Sequence, residues 1–294
     1  MKRLMRLFVL VVGIVALIGL YIFLGKVFSG QILLKRYIFK LGWFELRWYS
    51  LLIVSGILLG YALVRRRLER YKINPDHVDE AIFWGIIAAI IGARTYYVIF
   101  MWGDFYSKYP GEIFKIWHGG LAIHGAIIGA ILSTFLYTRL KKNCTFTFLQ
   151  GLDLFTSVLP LGQAIGRWGN FFNYEAFGSP TDLPWGMYIP PANRPLGLEN
   201  FSKFHPTFLY ESVGNFIIFL VLYNYDLRKK SNGETTALYF ILYSANRFWI
   251  EGLRTDSLYL GNMRIAQLVS IVLIVLGLIM FLYLRKNKKA AIDK

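Results

Sequence analysis

Apolar stretches long enough to cross a bilayer follow one another along this chain, and the polar residues collect in the short segments between them. After a basic start at Lys2, Arg3 and Arg6, residues 7–24 carry no charge, and a run of about eighteen apolar residues can span as a helix. A secretory signal peptide would show a small-x-small cleavage motif before Gly30, and none is present, so the run reads as an uncleaved helix that starts in the cytoplasm. Residues 26–47 then form an outer segment. Within it residues 32–44 mix Lys35, Arg36 and Lys40 with Leu and Phe, the composition of an interfacial helix. Further spans follow at 48–64, at 80–102, from Trp117-His118-Gly119-Gly120 to Arg139, at 148–165, from His205-Pro206-Thr207 to Arg228, at 237–253 and at 265–284, which makes eight. Asn74-Pro75-Asp76 is a helix-start signal, with His77 read as part of the cap.

The expected fold is therefore an all-α integral membrane bundle. Seven core transmembrane helices (residues 31–294) follow an additional N-terminal helix (residues 1–30), and a small extracytoplasmic head occupies about 171–204, where Pro, Gly and Asn are frequent. Basic clusters (Arg65-Arg66-Arg67 with Arg70 and Lys72; Lys141 and Lys142; Arg228-Lys229-Lys230; Arg285 with Lys286, Lys288 and Lys289) close alternate ends of the spans. By the positive-inside rule those ends and both termini are cytoplasmic.

The polar residues inside this frame carry the chemistry. Gly166-Arg167-Trp168-Gly169-Asn170-Phe171-Phe172-Asn173-Tyr174-Glu175-Ala176-Phe177-Gly178 sets a guanidinium, two amides and a carboxylate at a span end. A charge at bilayer depth costs roughly 2.5–3.5 kcal/mol, so Arg167 needs a partner, a ligand or water. The glycines are expected to turn the backbone there and leave its amides bare. Arg94 lies in the middle of the third span, either paired with an acidic residue or available to a ligand. His118 and His124 are six residues apart, about 240° on a helix. His118 is therefore assigned to a turn, and His124 to the first helical turns as a functional group or an interhelical hydrogen bond. Glu211, inside the sixth span, requires neutralisation by Arg94 or Arg167. Tyr243, Arg247, Glu251 and Arg254 fall within about 80° of one another on a helix. With two arginines and one glutamate the stripe calls for an external anion, unless Glu175 or Glu211 completes a salt-bridge ladder.

Composition supports this picture. Of 294 residues, 56% are hydrophobic and 17% charged, and the mean hydropathy is +0.46. The net charge of +16 resides in the clusters at span ends, so it points to anionic headgroups and not to nucleic acid. The single cysteine, Cys144, excludes an internal disulfide. The four histidines (77, 118, 124 and 205) lack zinc spacing, and no metal or other cofactor is expected. Arginines, a histidine, asparagines and tyrosines at outer-leaflet level suit a phospholipid phosphate. The plainest reaction there is displacement at carbon with phosphate leaving and a histidine taking the nucleophile's proton. An organic-anion transporter would require inverted halves and a polar route to the cytoplasm, and neither is visible.

Gly166-Arg167-x-Gly-Asn170-Phe-x-Asn173-x-Glu175-x-x-Gly178 resembles the signature of the bacterial prolipoprotein diacylglyceryl transferases. His118-Gly-Gly with Ala-Ile-His124-Gly, His205-Pro-Thr-x-Leu-Tyr210-Glu211, and Arg247-Phe-x-x-Glu251-x-x-Arg254 resemble that family's other blocks, in its order, over residues 48–285. The resemblance implies a seven-span enzyme of the bacterial plasma membrane. It would move diacylglyceryl from phosphatidylglycerol to the thiol of the lipobox cysteine of a preprolipoprotein, releasing glycerol phosphate. By position it marks Tyr49, His124, Arg167, Asn170, Glu175, Gly178, Tyr243, Arg247, Glu251 and Arg254; Arg94 and Asn173 join them as substrate-binding candidates, and His124, Arg167 and Arg247 are the catalytic candidates. The base is His124, or else the arginine field lowers the thiol pKa. For residues 1–30 the resemblance implies no role.

Overall fold

A computed structural model describes residues 2–42 and 44–287, with backbone alone at residues 2–4, 6, 7, 9 and 10. The side chains of Lys2, Arg3 and Arg6, and all of Lys288 and Lys289, lie outside the described residues. Within them there are eight α-helices: α1 (Lys2–Phe28), α2 (Trp48–Arg65), α3 (Pro75–Phe100), α4 (Ile123–Leu140), α5 (Phe148–Asn173), α6 (Thr207–Asp226), α7 (Glu234–Glu251) and α8 (Ile265–Lys286). Six of these, all but α5 and α7, are long and apolar enough to cross a membrane, so the chain is a polytopic helical membrane protein. The other two have 26 and 18 residues, and they carry the polar motif and the polar stripe.

The helix ends follow local chemistry. Asn74 Oδ1 accepts the Asp76 amide at 3.0 Å and Pro75 occupies the first turn, so α3 begins at Pro75, ahead of the span expected from residue 80. His77 joins that cap: its amide donates to the Asn74 carbonyl at 3.2 Å, and its Nδ1 meets, at 3.1 Å, the Thr145 hydroxyl that accepts the Asn74 amide. At the start of α5, Thr147 and Gln150 exchange hydrogen bonds of 2.8 and 3.3 Å as a capping box.

Two expectations are corrected. The segment expected as an interfacial helix is a β-hairpin, β1 (Tyr37–Leu41) with β2 (Phe44–Arg47). Phe39 and Leu41 alternate with Ile38 and Lys40, a period of two that suits a strand. The glycines of the polar motif do not turn the chain either, since α5 runs through Gly166 and Gly169 to Asn173. The turn comes later, at Tyr174 and Ala176, which hold φ of 53° and 57°.

The chain forms two compact units. The first comprises residues 1–60, 159–221 and 239–278. Its core is Phe171, Tyr174, Phe177, Met187, Ile189, Phe204 and Phe208 together with Val27 from α1. Phe28 sets its ring 6.3 Å from Phe171, and a side chain on Gly30 would strike the Tyr188 ring at 2.9 Å, so the C-terminal end of α1 is packed into the loop region. That region contains a short ladder, β3 (Met187–Tyr188) with β4 (Lys203–Phe204).

The second unit comprises residues 61–158, 222–238 and 279 onward. In it α3 and α4 cross at Gly92, Gly125 and Gly129, where a Cβ on Gly125 would lie 2.1 Å from the Gly92 carbonyl oxygen. Small residues let helix backbones approach closely in a membrane. The same unit buries a charged knot. Asp153 accepts from Lys229 Nζ and the Gly233 amide, both at 2.7 Å, and from the amide and hydroxyl of Thr236 at 2.9 and 2.8 Å. Asp226 accepts from Lys229, Thr235 and Tyr71 and faces Arg67. Every lone pair of Asp153 has a donor, which offsets its burial. Replacing Asp153 by Ala strands the Gly233 and Thr236 amides and leaves Lys229 with Asp226 as its one carboxylate partner, and breaking a buried pair costs roughly 3–5 kcal/mol. The expected outcome is a clearly lower thermal midpoint in detergent, measured by tryptophan fluorescence, with Asp153→Asn losing less.

Candidate active site

Within the first unit, α5, α6 and α7 bring four charged side chains into one chain of contacts. Arg167 Nη2 pairs with Glu211 Oε1, Arg247 Nη1 reaches Glu211 Oε2 at 3.2 Å, and Arg247 Nη2 pairs with Glu251. Glu211 is 1% exposed and Glu251 3%, while the two guanidiniums keep 23% and 19% of their side-chain surface. The carboxylates are thus buried scaffolding, and the two arginine side chains stay partly exposed. Tyr243, one turn before Arg247 on α7, lies within hydrogen-bonding reach of Arg167.

The chain of contacts continues along the motif. Arg167 Nη1 donates to Asn170 Oδ1 at 3.3 Å, Asn170 Nδ2 donates to Glu175 Oε1 at 2.9 Å, and Asn173 Nδ2 donates to the same oxygen at 3.1 Å. The Glu175 amide donates to the Asn170 carbonyl at 3.1 Å, so the left-handed residues on either side of Glu175 fold it back over the helix end. Tyr49, exposed at the start of α2, lies against Gly169. A Cβ there would sit 2.5 Å from the Tyr49 ring and 3.1 Å from its Cα. The neighbouring Trp48 stacks on Phe172 at 4.6 Å. The glycine that was expected to bend the helix instead admits α2.

The expected excess of positive charge is not found. Arg254 lies beyond the end of α7, not on its stripe, and makes a bidentate contact with Asp256 at 2.8 and 2.6 Å. Burial alone would raise the Asp256 carboxyl, but Arg254 outweighs it and holds the group below the ordinary aspartate range. Three arginines therefore meet three carboxylates, and the ladder completed by Glu211 is the arrangement observed. Donors remain on Arg167 and Arg247, because each guanidinium has five.

Arg94 and His124 belong to the second unit. Arg94 is 7% exposed and, among the described residues, pairs with no carboxylate. Its Nε donates to the Ile113 carbonyl at 2.8 Å, Nη1 to those of Gly119 and Gly120 at 2.7 and 3.0 Å, and Nη2 to those of Glu112 and Lys115. All five N–H groups are thereby used on one backbone segment. In the same segment His118 Nδ1 meets Glu112 Oε2 at 2.7 Å, and Lys115, followed by His118, holds the Glu112 carboxyl below the ordinary glutamate range. His118 lies in a turn, as expected. His124 is the second residue of α4, exposed, with its ring 5.8 Å from that of Tyr96.

The chain as a whole matches a known family. The family model described as prolipoprotein diacylglyceryl transferase matches residues 36–283. A phosphatidylglycerol–prolipoprotein diacylglyceryl transferase of Fervidobacterium nodosum is 58% identical over 286 residues, covering 97% of both chains. Proteins of the same name from Thermotoga petrophila and Thermotoga maritima are each 55% identical over 271 residues, 92% of both chains. The chain belongs to the prolipoprotein diacylglyceryl transferase family.

Two members of this cluster were weakly marked in the sequence. Glu211 stood out only as a carboxylate in need of a cation, and its double pairing depends on α5 and α7 meeting on either side of it. Asp256 follows Arg254 by two residues and gave no separate signal. Gly178 has a steric role. Its amide donates to the His205 carbonyl at 2.8 Å, and a Cβ would lie 2.8 Å from both His205 Cβ and the Leu253 carbonyl oxygen. Gly178→Ala should cost roughly 1–3 kcal/mol through overpacking. The check is a lowered thermal midpoint together with faster protease cleavage of residues 174–186.

Proposed function

We infer that this chain transfers the diacylglyceryl group of phosphatidylglycerol to the cysteine thiol of a prolipoprotein. The observation that carries the reading is the pair of oriented, partly open guanidiniums, Arg167 and Arg247, fixed on the one buried carboxylate of Glu211. In this account they bind the phosphate through their remaining N–H groups, where a planar fork matches two oxygens. Asn170, Asn173, Glu175 and Tyr243 line the same chain of contacts and orient the glycerol hydroxyls. Glu251 fixes Arg247, Arg254 and Gly178 hold the loop, and Tyr49 covers the helix end. The proposed role of Arg94 is to shape the segment before α4.

The thiol sulfur attacks the terminal glyceryl carbon, a carbon–sulfur bond forms, and the bond from that carbon to the phosphate oxygen breaks. The electron pair leaves on glycerol phosphate, where the arginines stabilise the developing charge. His124 takes the thiol proton; a thiol of pKa about 8.5 needs only modest assistance. No covalent enzyme intermediate is needed.

The proposed topology has seven core spans and an additional leading one. Both termini are cytoplasmic, and the head at about 171–204 and the reacting groups lie toward the outer leaflet. What supports it is the alternation of basic clusters, together with the length of α5 and α7.

The test is purified protein with phosphatidylglycerol and a lipobox peptide, scored by mass for a diacylglyceryl-bearing peptide. Arg167→Ala and Arg247→Ala should each lower turnover by about 10²-fold or more. His124→Gln should lower it severely with an unchanged thermal midpoint, and a zwitterionic lipid should give no product. Normal turnover by both arginine variants would overturn the site.

A further inference from the structure

The β1–β2 hairpin carries features that the reaction does not use. Cross-strand partners share a face of a hairpin and successive residues alternate. The register pairs Phe39 with Leu46, Leu41 with Phe44 and Lys40 with Glu45. Over residues 39–41 and 44–46 one face is therefore apolar, with Phe39, Leu41, Phe44 and Leu46, and the other carries Lys40 and Glu45; beyond the bulge Tyr37 pairs with Arg47. The apolar side is not covered by the protein: Leu41 is 75% exposed and Phe39 47%. Charge is unbalanced on the hairpin as well. Glu45 pairs with Arg47 at 3.3 Å, while among the described residues Lys35, Arg36 and Lys40 form no ion pair. Lys35, Arg36 and Arg47 with Glu45 line an open cleft of about 410 Å³.

Both ends of the hairpin are tethered. Chain enters it from α1 and leaves it directly into α2, and both helices are long and apolar enough to span. An amphipathic hairpin held at the boundary of the bilayer places its apolar face against acyl chains and its cations among headgroups, where each Lys or Arg gains from a negative surface.

We propose that the hairpin is a docking surface for the headgroup of an anionic phospholipid of the surrounding leaflet, with Lys35, Arg36 and Lys40 as its cationic contacts. It holds the lipid without reacting it and so concentrates anionic lipid beside Tyr49, two residues beyond β2. The proposal rests on the transferase reading for its substrate, but the surface itself follows from the hairpin's charge and exposure.

The experiment compares full-length wild type with the triple variant Lys35→Gln, Arg36→Gln, Lys40→Gln, and with a control that loses the same charge elsewhere (Arg66→Gln, Arg70→Gln, Lys142→Gln). Two quantities are read. In proteoliposomes, turnover is followed against the mole fraction of phosphatidylglycerol. The hairpin variant should need about fivefold more lipid for half-maximal rate at an unchanged maximal rate, and the control should match wild type. In native mass spectrometry from detergent doped with phosphatidylserine, an anionic lipid outside the reaction, the hairpin variant should retain fewer bound lipids than wild type or control. Equal retention in all three proteins, or an equal shift in hairpin variant and control, overturns the proposal. Absence of product from wild type would instead count against the transferase reading, and lipid retention would still decide the hairpin.

Discussion

A single buried carboxylate organises the polar interior of the first unit. Glu211 on α6 accepts Arg167 from α5 through one oxygen and Arg247 from α7 through the other, so three helices share one ion. Without it two guanidiniums would face each other in a medium that screens poorly, and neither would have a fixed direction. With it each guanidinium is charged and aimed, and each keeps donors to spare. In the proposed reading a phosphate would meet guanidiniums that are already oriented, which is the preorganisation that transition-state stabilisation needs.

The second unit contains a charged network of another kind. Asp153 and Asp226 are surrounded by lysine, hydroxyl and amide donors, and Asp153 has no acceptor capacity left. A network that is complete in itself fixes helix ends and offers nothing to a ligand. Arg94 likewise spends every donor on carbonyls of a neighbouring segment. Burial and charge alone therefore do not mark a binding group in this chain. Hydrogen-bonding capacity remains at Arg167 and Arg247, and that is what favours them as the proposed phosphate contacts.

The helices and much of the site were legible in the sequence because lipid imposes long uncharged runs, and because a charge inside such a run stands out. The motif of α5, the stripe of α7 and the turn at His118 could be located that way. What failed was local. Gly166 and Gly169 looked like a turn, yet the second of them is small so that Tyr49 can pack against it. Residues 32–44 were read by composition, where their alternation is that of a hairpin. The stripe was expected to be net positive because Glu211 is distant in sequence and Asp256 lies beyond the helix end. Pairings between helices leave little trace in spacing, so partners were harder to find than the charges themselves.

If Glu211 makes Arg167 and Arg247 one functional group, their contributions to catalysis are not independent. The direct measurement is a double-mutant cycle in kcat/KM for diacylglyceryl transfer with Arg167→Ala, Arg247→Ala and the doubly substituted protein. The double variant is expected to be about as impaired as the worse single variant. Losses that multiply, as for two separate contacts, would contradict that.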